Sequence, residues 1–184
     1  MKSAAGIWRQ AGRDVRASRR RAAAWVKRLD ARGTVLFCGR SRAGWDDCRP
    51  DELRRAVRRC APALLEQGYA TVLVEINTVF GFCALEELLR LRQHRPFTLA
   101  ALAREFYGFS WLRGEEEQFR ERSLAVLRRL ARCDVVEHAL TPAAWAELVR
   151  AHAALILDEE AVGAGRLLFN GEAVCYTKGK QTLP

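Results

Sequence analysis

Carboxylates grouped in sequence are the first places where this chain could do chemistry. Glu115, Glu116, Glu117 and Glu121 lie close together, and carboxylate sets of this kind hold divalent metals in phosphoryl-transfer sites. The same residues, followed by Arg128, Arg129 and Arg132, also read as a helix with an acidic first turn and a basic last turn, the order its macrodipole favours. Glu75 and Asn77 close a hydrophobic run. At the carboxyl end of a strand in an open α/β sheet, where ligands gather, a carboxylate beside an amide can hold a metal ion or a hydroxyl. A solvated strand end, or a pair with a nearby arginine, would use the same two residues. Asp46 and Asp47 read equally as metal ligands and as counter-charges to Arg40 and Arg42.

Gly39-Arg-Ser-Arg-Ala-Gly44 follows an apolar run, and such a turn can cradle phosphate through backbone N–H groups. Its glycines have Walker A spacing, but Trp45-Asp46 stands where Lys and Ser/Thr are needed, which excludes a P-loop. Arg40 and Arg42 remain candidates for anion contact. His94 and His138 have no nucleophile motif nearby, and there is neither a Gly-x-Ser-x-Gly nor a dinucleotide fingerprint. The six cysteines show no C-x-x-C spacing, and with the three histidines they form no zinc pattern. Set in apolar stretches, they read as reduced core residues in a cytoplasmic setting. The aromatics Phe80, Phe82, Phe106, Tyr107, Phe109 and Trp111 read as a core cluster first and a base-stacking surface second.

These residues need elements to position them. Thr34–Cys38 reads as a buried strand. Asp51 to about Gln67 reads as a helix with Pro50 at its start and Gly68 at its end, burying Leu53, Val57, Cys60 and Leu64. Pro62 should kink or restart it. Residues 70–76 are the clearest strand, and strand–helix–strand here implies a crossover between parallel strands. Cys83–Arg92 and Thr98–Tyr107 read as two short helices, the second capped by Thr98, and Phe109–Leu112 as a strand. Glu115–Arg132 reads as a long helix, Val135–Ala139 as a strand, and Thr141-Pro142 opens a helix running to about Leu157. A hairpin over residues 166–176 turns at Asn170-Gly171, the favoured type I′ pair.

Charge points to partners. Of 184 residues, 49% are hydrophobic and 29% charged, and the net charge is +9. Residues 1–32 hold ten basic and two acidic residues, so the rest of the chain is almost neutral. Residues 7–29 carry an apolar stripe (Ile7/Trp8, Ala11, Val15, Ala22, Trp25/Val26, Leu29) at helical spacing, with Arg13, Arg16, Arg19 and Arg20 on the remainder. This helix can cover its own domain, lie on an anionic membrane face or lie along nucleic acid. Arg54, Arg55, Arg58 and Arg59 gather four guanidiniums on one side of a second helix. No apolar run approaches the ~20 residues of a membrane span, and the start lacks the unbroken apolar stretch of a signal peptide.

One stretch resembles a family. The helix, the Gly68 turn and strand 70–76, then Ser110-Trp-Leu-Arg-Gly114-Glu115-Glu-Glu-Gln-Phe-Arg120-Glu-Arg122, a helix and Asp134-Val-Val-Glu-His138, resemble the ParB-type domain, an architecture shared with sulfiredoxin. The resemblance covers about residues 50–140. Glu116 and Glu117 replace the two arginines of the family's Gly-Glu-Arg-Arg turn, and no cysteine lies in that turn. It implies a nucleotide-phosphate turn at Gly114 and Glu115, with Glu115, Arg120 and Arg122 as the catalytic set of an ATPase or DNase. ATP and a divalent metal such as magnesium are the implied cofactors. Some plasmid-borne relatives interfere with conjugative transfer of other plasmids (fertility inhibition).

The expectation is therefore a mixed α/β (α+β) single domain. A basic helical arm occupies residues 1–32, and the α/β domain, with a central small sheet and a C-terminal hairpin, occupies 33–177. Residues 178–184 form a tail. The expected function is a small cytoplasmic accessory protein of mobile DNA, plasmid or virus, that binds nucleic acid or a nucleoprotein complex through the arm, Arg40, Arg42 and the Arg54/Arg55/Arg58/Arg59 face, with interference in DNA transfer as the role the resemblance implies. Two alternatives stand beside it. One is a non-catalytic adapter, peripheral to the inner face of a membrane or to secretion or packaging machinery. The other is a winged-helix regulator, with 98–107 and 115–132 as its DNA-reading pair and the 166–176 hairpin as its wing.

Overall fold

A computed structural model describes residues 29–40, 44–46, 48–104, 112, 115–153, 155–159, 162, 166–169 and 172–175. The basic helix expected over 7–29, apart from Leu29, the strand over 109–112, apart from Leu112, and the tail lie outside the described residues.

A seven-stranded sheet organises the chain, with spatial order β4-β3-β2-β1-β5-β6-β7. β1 (Thr34–Phe37), β2 (Thr71–Glu75), β3 (Thr98–Arg104), β4 (Val135–Leu140) and β5 (Leu155–Leu157) run parallel to one another. β6 (Arg166–Phe169) and β7 (Glu172–Cys175) close the far edge as the expected antiparallel hairpin, in the register Phe169↔Glu172. The α/β class is borne out, but the sheet is larger than the small one expected.

Between the parallel strands run α1 (Pro50–Glu66), α2 (Val79–Leu91), α3 (Glu116–Leu130) and α4 (Pro142–His152). Alternation along the strands divides the core in two. Val35, Phe37, Val72, Val74, Leu99 and Ala101 face α1, α2 and α3. Leu36, Leu73, Ala100 and Leu102 face the other way, packing with Leu148, Trp145 and Val149 of α4 and with Leu29.

Three expectations are corrected. Thr98–Tyr107 is no helix, because Thr98–Arg104 is strand β3, paired on both edges. Leu-Ala-Ala-Leu-Ala has helical propensity, but it lies within six consecutive buried residues, Leu99–Arg104, in mid-sheet, where two ladders override that preference. The winged-helix alternative loses its first reading helix with it. The helix opening at Pro142 stops at His152, and its expected tail is strand β5. A short apolar run flanking a helix carries no period that separates it from a buried strand. Pro62 does not restart its helix: α1 is continuous from Pro50 to Glu66, with Gly68 following at φ 95°.

α2 begins four residues before its expected start, with the Thr78 hydroxyl accepting from Gly81 N–H at 3.1 Å. It is buried from Val79 to Leu89, the most enclosed helix described. Gly81 permits this. A Cβ there would lie 1.6 Å from the carbonyl oxygen of Glu75, so α2 can rest on the end of β2 only with no side chain at that position.

Candidate functional site at the strand carboxyl ends

The chain reverses its direction of travel across the sheet at β1. From β1 it steps outward through β2 and β3 to β4, then returns through α4 to place β5 on the other side of β1. The segments leaving β1 and β5 therefore diverge above neighbouring strand ends, and open parallel sheets bind their ligands at such a switch point.

The segment after β1 is Cys38-Gly39-Arg40. Cys38 N–H donates to Leu157 O at 2.8 Å, which carries the β1–β5 ladder one residue further. Gly39 is pressed against the α2 cap, since a Cβ there would meet Thr78 Oγ1 at 2.1 Å. Arg40 follows with its side chain 63% exposed. Its Nε pairs with the buried Asp158 carboxylate, and its backbone N–H donates to both Glu159 oxygens at 3.1 and 2.9 Å. Asp158 and Glu159 stand directly after β5, so the switch point is tied across by one arginine and two carboxylates.

Beneath it lies a buried polar network at the ends of β2 and β3. Glu75, with no solvent exposure, accepts from Asn77 N–H at 2.7 Å and from the Thr78 hydroxyl at 3.3 Å. Arg104 Nη2 stands 3.6 Å from its carboxylate. Asn77 bridges to β3, its Oδ1 accepting from Arg104 N–H at 2.7 Å and its Nδ2 donating to Arg104 O at 3.4 Å. The Arg104 guanidinium lies 4.8 Å from the ring centroid of Trp145 on α4. Burial pushes the Glu75 carboxyl above the ordinary range, while the Arg104 charge and the hydrogen bonds it accepts from Asn77, Thr78 and Gly39 pull it back. Burial, with Glu75 adding to it, pushes the Cys38 thiol up to about 12, so this cysteine stays protonated and unreactive.

Of the residues expected to act, Glu75, Asn77 and Arg40 come together here. Glu75 and Asn77 are too enclosed to touch a ligand directly, and they set the shape of the turns above. Glu115 is the exposed N-cap of α3 and makes no capping bond with its side chain. Arg120 is exposed on the same helix. Arg122 instead lies 5.9 Å from the ring centroid of Trp45 and 3.8 Å from Asp46. Among the described residues no ion pair joins Glu115 to Arg120 or Arg122, and no group of three His, Cys, Asp or Glu is placed to hold a metal ion. Gly114, Arg13, Arg16, Arg19, Arg20, Arg42 and Asp47 lie outside the described residues.

The arginine face of α1 is divided. Arg54, 20% exposed, and Arg58, 60% exposed, pair with the buried carboxylates Glu86 and Glu87 of α2 through bonds of 2.7–2.9 Å, while Arg55 and Arg59 are exposed and have no carboxylate partner among the described residues. Asp158, Glu159, Arg104 and Thr78 were not singled out from sequence. Reading 155–157 as a strand would have placed Asp158-Glu159 at a strand carboxyl end. Arg104 was hidden by the helical reading of 98–107.

No helix among the described residues is long and apolar enough to cross a membrane. Comparison with protein families, with curated proteins and with solved structures gives no match to this chain.

Proposed function

We propose that this protein is a ligand-binding α/β domain that takes a small anionic molecule of nucleotide type in the crevice between the carboxyl ends of β1 and β5. The observation that carries the reading is the switch of chain direction at β1, with Arg40, Asp158 and Glu159 meeting where it occurs. Among the described residues Arg40 is an exposed cation at the crevice, and it would meet the anionic group. Its fork suits phosphate or carboxylate, and Asp158 fixes its base. The capped N-terminus of α2 lies against the same turn through Thr78 and Gly39, and its positive end favours an anion. The buried Glu75–Asn77–Arg104 network holds the turns in one geometry, as a preorganised site requires.

The test is calorimetric titration of the full chain with ATP, ADP, NAD and inorganic phosphate, beside Arg40→Ala and a remote control, Arg95→Ala. Arg95 pairs with Glu66 at the other end of the sheet. At least one nucleotide should bind wild type and the Arg95 variant alike, and Arg40→Ala at least tenfold more weakly. No binding by any of the four at millimolar concentration, or equal binding by Arg40→Ala, would remove the reading.

A further inference from the structure

The helices run back along the sheet, so the C-terminal halves of α1, α2 and α3 gather at the end opposite the crevice. Two depressions lie there. One, of about 340 Å³ between α1 and α2, is lined in part by Arg58, Arg90 and His94. The other, of about 210 Å³ between α2 and α3, is lined by Arg90, Arg128, Arg129 and Arg132 with Glu86 and Leu89. Arg90 borders both, so the two meet along one track.

Five guanidiniums border this track against two carboxylates, Glu86 and Glu87. Both carboxylates are already engaged, Glu86 by Arg54 and Arg129, Glu87 by Arg58 and Arg90. Arg128 and Arg132 are exposed, and among the described residues neither side chain has a carboxylate partner. A cation in a helix's last turn answers the macrodipole. That accounts for Arg128 and Arg129, but not for Arg132, which lies beyond the end of α3, nor for the meeting of two helices' arginines over one groove.

We infer that this track binds the sugar–phosphate backbone of a nucleic acid, with Arg128 and Arg132 as phosphate contacts and Arg90 between the two depressions. The positive groups come from three helices and are spread over two depressions that share Arg90, and do not close around one pocket, which suits an extended polyanion. Contacts of this kind hold the backbone and read no bases, so binding is sequence-tolerant. The inference is independent of the crevice reading, because the two sites share no residue and sit at opposite ends of the strands.

The test is fluorescence anisotropy of the full chain with a labelled 20-mer, single-stranded and duplex, from 50 to 200 mM salt. Arg128→Ala/Arg132→Ala is compared with Arg55→Ala/Arg59→Ala, which removes the same charge from exposed positions outside both depressions. The first pair should weaken binding at least tenfold at 50 mM salt. It should also flatten the slope of log K against log salt by about 2, one unit per lost phosphate contact. The second pair should weaken binding less than threefold. Thermal melts confirm folding, and Arg132→Gln alone, outside the helix, stands in if the double variant is unstable. Equal losses in the two pairs, no binding by wild type, or displacement of the 20-mer by micromolar pyrophosphate would each overturn the inference.

Discussion

Arg104→Met is the most informative single perturbation of the site, because it separates a structural charge from its partner. Glu75 has no solvent exposure, and the Arg104 side chain is 8% exposed and 3.6 Å away. Removing one member of a buried pair costs about 3–5 kcal/mol. Methionine keeps most of the length of the apolar stem and removes the guanidinium that faces Glu75 and lies 4.8 Å from the Trp145 ring centroid, so the charge is the main loss. Glu75 can respond by taking up a proton, and this caps the cost. Holding a proton on an ordinary glutamate, with pKa ~4.3, costs about 4 kcal/mol at pH 7.5 and about 1.6 kcal/mol at pH 5.5. The variant should therefore lose roughly 3–4 kcal/mol near neutrality, or roughly 6–16 °C in Tm for a chain of this size.

The direction with pH follows from linkage. Burial raises the folded-state value of Glu75 above its unfolded value, and loss of Arg104 raises it further. A carboxyl shifted upward contributes stability below its unfolded value and loses that contribution as pH rises through the folded value. The deficit relative to wild type should be largest at pH 7.5 and shrink by about 2 kcal/mol on acidification to pH 5.5. Urea unfolding of wild type, Arg104→Met and Glu75→Gln/Arg104→Met at both pH values measures this directly. The double variant should recover at least half the loss at pH 7.5 and show no narrowing. An Arg104→Met deficit under 1 kcal/mol, or one independent of pH, would refute the account of Glu75 as a buried charge held by Arg104.

Three further outcomes follow from the same structure. Gly81→Ala gains up to ~1 kcal/mol of helix propensity but places a Cβ 1.6 Å from a backbone oxygen, so a net loss of about 2 kcal/mol or more is expected in denaturant melts. Glu86→Ala should cost more than Glu87→Ala by about 1 kcal/mol: Arg54 and Arg129 are 20% and 31% exposed, whereas Arg58 and Arg90, at 60% and 62%, return readily to water. Cys38, Cys60, Cys83 and Cys133 are pushed up to about 12 by burial, so mass spectrometry should find them unalkylated by iodoacetamide at pH 8 in the folded protein and modified in urea.

The elements legible in sequence were those with local punctuation. Pro50 and Gly68 bracket α1, Thr141-Pro142 opens α4, and Asn170-Gly171 joins β6 to β7. β1 and β2 were legible because unbroken apolar runs of β-branched and aromatic residues have few other uses. β3 and β5 were not, because an Ala- and Leu-rich run in the middle of a sheet takes its state from its neighbours. The start of α2 was hidden by Phe-Gly-Phe, where glycine looks like a breaker and is in fact the condition for contact with β2. Half of the crevice, Glu75, Asn77 and Arg40, could be found from strand ends alone. The other half needed β5, and with it Asp158 and Glu159.

The arginines carry the more general lesson about charge. Arg54, Arg55, Arg58 and Arg59 look in sequence like one face turned to an anion. The fold spends Arg54 and Arg58 on Glu86 and Glu87, two carboxylates of an apolar helix enclosed by its neighbours. Those glutamates in turn draw in Arg129 and Arg90 from other positions, so α1, α2 and α3 are joined through two buried acids. Buried charges without such partners would be costly, and each Glu therefore requires arginines that no local pattern announces. What is left for an outside partner is the remainder after this internal pairing. On α1 that remainder is Arg55 and Arg59; between α2 and α3 it is Arg128 and Arg132, set over a groove. Exposure is common to both pairs, and the groove distinguishes them. A polyanion that merely sampled net charge would treat the two alike, whereas one seated between helices would not.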